Sequence, residues 1–189
     1  MLAGALLPVL DGDRERARAA VDEAYDASLA RRMGAKLGLA EPADEALLTA
    51  LYRLLQRNRC DCTNFFRSLS RLPARAAEHA AGDADAPLLD LCIDRAECVA
   101  WVQDWRGRLA GEVRPDQERQ ATMTRSNPKQ VLRNWVAESA ICAARQGQFG
   151  ELHRVQRCLA RPFDEQPEFE HFAAPPPDWA DGIEVNCSS

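Results

Sequence analysis

Long apolar runs are missing from this sequence: nothing in it approaches the roughly eighteen consecutive apolar residues that a membrane helix requires. The opening stretch MLAGALLPVL is apolar but short, lacks a basic leading region and runs straight into a polar pattern. It reads as an internal or core segment rather than a targeting sequence. No stretch alternates polar and apolar residues at the period of a strand, and no internal repeat is evident. Aromatics are scarce at 6%, yet 46% apolar and 28% charged residues are the balance of a folded globular chain, not a disordered one. At 189 residues the chain is long enough for one domain with a sizeable core.

Positive charge is also lacking where nucleic acid would need it. The net charge is −5, and from Pro162 to Ser189 there are seven acidic residues and no Lys or Arg. With those seven of the 29 acidic residues set aside, the preceding part carries 24 basic residues against 22 acidic ones. A near-neutral body with an acidic tail and no basic stripe argues against a phosphate-backbone partner. The cysteines, at 60, 62, 92, 98, 142, 158 and 187, are odd in number and scattered through helical pattern, which predicts reduced thiols in the cytoplasm rather than a disulfide framework.

The parts of a metal or nucleotide site are missing as well. Cys60-x-Cys62 is too tight for the usual two-residue spacer, and Cys92 and Cys98, six apart on a predicted helix, fall on different faces. His79, His153 and His171 stand alone, and a calcium loop starting at Asp11 would have Arg16 where glycine is required. There is no glycine-rich loop after a strand, no strand-borne lysine paired with a helical glutamate, and no Asp-Phe-Gly-like metal anchor; Asp90, Asp94 and Asp104 take none of those roles. No catalytic, cofactor-binding or metal residue is therefore assigned in this chain. Asp61 and Asn64 carry ligand-type side chains, but helix capping is the better reading of both.

What remains is helix. Ala, Leu and Arg dominate, which favours an all-α fold, an irregular bundle. Ala17, Val21, Ala24, Tyr25 and Leu29 form one face of a helix from Asp13 to about Met33, with Gly34 and Gly38 at its exit. Pro42 opens a second, with Leu47, Leu48, Leu51, Leu54 and Leu55 on its apolar face. Asp61 or Thr63 caps a short third around Phe65, Phe66 and Leu69. Residues 74–87 read as a frayed end and loop, followed by a long buried helix from Leu88 to Glu112 and a polar link to Arg125. Next comes the helix around which the chain is organised: Asn127 as N-cap, Pro128 at the first position, a stripe of Val131, Leu132, Trp135, Val136 and Ala140, and Gly147 as the stop. Phe149 staples a last helix through Leu152, Val155 and Leu159, ended by Pro162. Cys142 and Cys158 are expected to be buried fillers. The helical domain is thus 1–161. The tail 162–189, Pro-rich and acidic, should lie extended on a surface, held by Phe163, Phe169, Phe172, Trp179 and Ile183.

Four ordered blocks carry a resemblance. Arg32-Met33-Gly34-Ala35-Lys36-Leu37-Gly38-Leu39 is the first and Asp61-Cys62-Thr63-Asn64-Phe65-Phe66-Arg67-Ser68-Leu69-Ser70 the second. Asn127-Pro128-Lys129 with Leu132-Arg133-Asn134 makes the third. The fourth runs from the Arg161-Pro162-Phe163 helix exit to Pro176-Pro177-Asp178-Trp179 and the terminal Cys187-Ser188-Ser189. Together they resemble the C-terminal end of the selenoprotein O family, the kinase-like protein adenylyltransferases also called YdiU. The resemblance spans nearly the whole chain. It implies the C-terminal part of a larger kinase-like fold that transfers AMP from ATP to Ser, Thr or Tyr of protein substrates, with Mg2+ or Mn2+. It also implies a bacterial cytoplasmic setting, with the kinase-like catalytic lobe as a partner that precedes this sequence, so that this chain alone is inactive. In the family the position of Cys187 is cysteine or selenocysteine, which implies a redox role for this exposed tail thiol. Glu184 and the terminal carboxylate should raise its pKa rather than activate it. The alternative is a free-standing helical redox or interaction module with a reactive C-terminal cysteine.

This chain by itself is expected neither to bind ATP with micromolar affinity nor to label proteins with AMP. Calorimetric titration with ATP and magnesium, paired with a labelled-ATP transfer assay, checks this; saturable binding or transfer would overturn it.

Overall fold

A computed structural model describes residues 14–75, 84–180 and 183. The opening stretch 1–13, His79 and the terminal residues 184–189, Cys187 among them, lie outside the described residues. Among the described residues the fold is all-helical: α1 Arg14–Leu37, α2 Glu45–Arg57, α3 Cys62–Leu69, α4 Ala86–Leu89, α5 Arg95–Leu109, α6 Asp116–Ser126, α7 Asn134–Arg145 and α8 Gly150–Leu159. Two 3-10 helices, Pro167–Ala173 and Asp178–Ala180, follow.

The helix boundaries have local chemical causes. Asp44, Asp61 and Asp94 are N-caps whose carboxylates accept the backbone N–H of Leu47 (2.8 Å), Asn64 (3.1 Å) and Glu97 (3.0 Å). Each satisfies one of the amides that a helix start leaves unpaired. At the exits of α1 and α7 the chain turns through Gly38 (φ 73°) and Gly147 (φ 77°). The amides of Leu39 and Gln148 then reach back to the carbonyls of Gly34 (2.9 Å) and Ala143 (3.0 Å), the double-bonded ending that needs a left-handed residue. Gly34, expected at the helix exit, lies inside α1 instead.

Several predicted boundaries move, most of them for a tertiary reason. The central helix does not start at Asn127. That residue ends α6, its N–H bonded to Met123 O (2.8 Å), while its side-chain amide donates to Lys36 O (2.8 Å) and Ser70 Oγ (3.0 Å). A side chain drawn into the core cannot cap the next helix. The amides of Lys129 and Gln130 then both donate to Pro162 O (2.8 and 3.0 Å), and helix resumes only at Asn134. Leu132 consequently sits at 55% exposure rather than on the buried stripe, while Val136 and Ala140 are buried and Trp135 half-buried. The polar link before it is helical too: α6 buries Arg119 and Met123, a pattern that apolar periodicity does not register. The predicted long helix from Leu88 is broken, because Asp94 caps α5 and leaves Asp90–Asp94 as a turn after the short α4. The first half of α1 is exposed, with Val21 at 50% and Tyr25 at 65%. Phe149, expected to staple the last helix, is 53% exposed.

Two apolar clusters hold the helices. The larger draws on α1 to α6 and centres on Trp105, fully buried, whose indole N–H donates to Leu37 O at 2.8 Å. Phe65 meets Trp101 edge to face at 5.8 Å between ring centres. The five leucines predicted for the second helix are all buried here. The smaller cluster joins Val136 and Ala140 of α7 to Val155 and Cys158 of α8, and it is completed by Phe169 and Phe172 from the tail. The tail therefore docks through those two phenylalanines, stacked at 5.9 Å, while Phe163 and Trp179 stay exposed.

The two left-handed glycines separate backbone strain from packing. A Cβ on Gly147 meets nothing within 4 Å, so Gly147→Ala should destabilise by about 1 kcal/mol, the left-handed cost alone. On Gly38 it would sit 2.6 Å from Met123 Sδ, and Gly38→Ala should lose about 2–4 kcal/mol. Urea midpoints of the two variants test the order, which equal losses would refute.

Candidate functional site

The resembling blocks, distant in sequence, meet at one place. Arg67, on α3 between Phe66 and Leu69, is 6% exposed despite its charge. Its Nη1 donates to the carbonyls of Thr124 (3.1 Å) and Asn127 (3.0 Å), and its Nη2 to Phe163 O (3.1 Å) and Glu165 Oε1 (2.8 Å). One guanidinium thus joins α3, the end of α6 and the exit of α8, with the fork geometry that only arginine supplies. Asn127 adds the carbonyl of Lys36 at the end of α1, so all four blocks contribute to the junction.

Glu165 is its electrostatic centre. Besides Arg67 it accepts from Arg71 (2.8 Å) and from Lys129 Nζ (2.6 Å), and Lys129 also reaches Glu170. Partial burial works against the Glu165 carboxylate, but these three cations outweigh it and hold the pKa down at about 2. Burial likewise disfavours the Lys129 ammonium, yet Glu165 and Glu170 raise its pKa. Next to this pairing Arg133 binds Asp61 and donates to Ala173 O (3.1 Å), where the Asn64 amide also donates (3.1 Å). Asp61 and Asn64 are thus cap and strut. A cleft of about 310 Å3 opens between Asn64, Ser68, Arg71, Lys129 and Ala174.

Residue-type reasoning overlooked Arg67, Lys129 and Glu165. The signal for them is their place inside, or just beyond, the resembling blocks.

The cysteines regroup as well. Cys92 lies in the turn before α5 rather than on the helix, so helical spacing does not separate it from Cys98. Cys60 Sγ and Cys92 Sγ stand 3.6 Å apart, and the Cys98 thiol acts on that of Cys92. Cys158 is buried as predicted, but Cys142 is exposed, because α7 turns Val136 and Ala140 rather than Cys142 toward α8. Its thiol donates to Glu138 Oε1 (3.3 Å), and that bond pushes its pKa up. Among the described residues no three His, Cys, Asp or Glu side chains are grouped to hold a metal ion. None of the described helices is long and apolar enough to cross a membrane.

Comparison with known proteins gives one consistent family. Residues 1–159 match the sequence model of the family described as protein adenylyltransferase SelO. The chain is 50% identical over 194 residues to the protein nucleotidyltransferase YdiU of Dechloromonas aromatica, with all of this chain and 39% of that protein covered. It is 44% identical over 206 residues to YdiU of Cupriavidus pinatubonensis, again with 100% of this chain and 39% of the relative covered. With YdiU of Paraburkholderia xenovorans the identity is 46% over 179 residues, covering 94% and 34%. The chain spans well under half the length of these curated relatives.

The Glu165 junction should be acid-sensitive in a defined direction. A carboxylate whose folded pKa lies below its ordinary 4.5 stabilises the fold fully above that value and loses its contribution as pH falls toward about 2. Glu165→Gln should lower the urea midpoint at pH 7, and its deficit against the parent should shrink between pH 4.5 and 2. A deficit independent of pH over that window would mean that packing, not charge, sets the contribution.

Proposed function

Because this chain belongs to the family of the protein adenylyltransferase SelO, we propose that it is the C-terminal helical part of an enzyme that, when whole, transfers AMP from ATP to Ser, Thr or Tyr hydroxyls of other proteins. The observation that carries this reading is the match itself: 50% identity across the full chain, against 39% of the relative's length. The remaining length belongs to a kinase-like lobe, and the nucleotide and its divalent cation, Mg2+ or Mn2+, are held there. In that reading the present chain does no bond-making. It buttresses the lobe, and the Arg67–Glu165 junction keeps its tail at a set position relative to α3. The exposed apolar side chains of α1, Val21 and Tyr25, suit a helix whose first half is covered by the rest of the enzyme.

Two finer assignments go with this reading. Cys187 is the redox residue of the tail, and its partner is a thiol of the lobe. The setting is the bacterial cytoplasm, where the thiols stay reduced and the target proteins are found.

Reconstitution tests the reading. The part of the Dechloromonas aromatica relative that precedes its match to this chain is co-expressed with this chain, and AMP transfer from labelled ATP is measured. Neither piece alone should transfer; the pair should co-purify and label protein. Failure of the two to associate, or transfer by this chain alone, would overturn the proposal.

A further inference from the structure

Three thiols from two separate segments meet at the side of the larger core. Cys60 follows α2 and is half-buried; Cys92, in the turn before α5, and Cys98, on α5, are buried. Cys60 Sγ donates to Leu91 O (3.2 Å) and lies 3.6 Å from Cys92 Sγ, although the two residues are 32 positions apart. Both segments are pinned by bonds other than those of the thiols. Asn58 donates through its amide to Leu54 O (3.0 Å) and Glu97 Oε2 (3.0 Å), and its Oδ1 accepts the Asp94 N–H (2.6 Å). The strut holds the exit of α2 against the start of α5. The pair is therefore presented by the fold, not by chance contact of mobile loops.

We propose that Cys60 and Cys92 are a disulfide-forming site, closed by exchange with a low-molecular-weight disulfide and reopened by a dithiol. Cys60, the more accessible, attacks one sulfur of the small disulfide as its thiolate. A mixed disulfide forms, and the first small thiolate leaves with the proton Cys60 has lost. Cys92 then attacks Cys60 Sγ, and the second small thiol departs with the Cys92 proton. Two protein thiols lose two hydrogens and two electrons, and one small disulfide becomes two thiols. The S–S bond needs the sulfurs to approach from 3.6 Å to a bonded distance of about 2.05 Å, within reach of side-chain rotation.

Closure is slow at neutral pH. Burial comes first in raising both thiols to about 12, and the neighbouring charges of Asp61 beside Cys60 and Glu97 beside Cys92 act in the same direction. Few thiolates are present to attack. The site thus ignores brief oxidant exposure and accumulates a cross-link under sustained oxidation. Cys60 directly precedes Asp61, the cap of α3, so the bond ties the helix that carries Arg67 to the start of α5. This role is separate from that of Cys187 and does not require the lobe.

The test uses the full chain incubated with excess oxidised glutathione, digested without reduction and mapped by mass spectrometry. The expected product is a Cys60–Cys92 linked peptide lighter by two hydrogens, with a melting temperature raised by about 5–10 °C and restored by dithiothreitol. Cys60→Ala and Cys92→Ala should each abolish the cross-link and the shift, whereas Cys142→Ala should keep both. A persistent glutathione adduct on Cys60 without closure, or linkage of Cys60 to Cys62 or of Cys92 to Cys98, would overturn the proposal. The peptide map of the parent chain decides this even where a variant folds poorly.

Discussion

A buried guanidinium is the constraint on which the arrangement of this chain depends. Arg67 gives up water and receives three backbone carbonyls and a carboxylate in return. Burying such a charge without those partners would be strongly unfavourable, so the ends of α6 and α8 have to be where they are for α3 to pack at all. Because the acceptors are mostly main-chain carbonyls, the interaction specifies chain path rather than side-chain identity. That explains why Asn127 closes a helix instead of opening one, and why Lys129 and Gln130 both bond to Pro162.

The junction also connects the two apolar clusters. Hydrophobic burial is non-directional: it would hold α7, α8 and the two tail phenylalanines together wherever they sat relative to the larger core. Direction comes from polar contacts between them, among them those of Arg67, of Asn127, and of Arg133 with Asp61. Glu165 lies where the acidic tail meets a dense group of cations, so the tail's negative charge, unbalanced in sequence, is partly neutralised in space. The chain is a member of the SelO family that spans 39% of the length of a curated relative. Val21 and Tyr25 on the first half of α1 are left toward solvent.

Much of this was legible beforehand, and the residues show why. The leucine face of α2, the Asp61 cap, the Phe65–Phe66–Leu69 core of α3 and the Gly147 stop are local matters, decided by side chains within four residues of one another. Those were read correctly. The misplaced boundaries share a different cause. Asn127-Pro128 is as good a helix start as local chemistry offers, but the Asn127 side chain finds better-placed partners 57 and 91 residues away. α6 went unseen because its buried residues are Arg119 and Met123, and Arg119 binds Leu72 O and Asp116 instead of solvent.

By itself the sequence determined that the chain is all-helical and acidic at its end, and through four short blocks it pointed to its family, because composition, caps and motif order are one-dimensional properties. Only the tertiary structure decided which polar residues are interior, that Arg67, Lys129 and Glu165 form one network, and that Cys60 faces Cys92 across 32 positions. The reason is that a charge or thiol is buried only when distant segments bring its partners, and the distance between segments is set by packing, which no local pattern encodes.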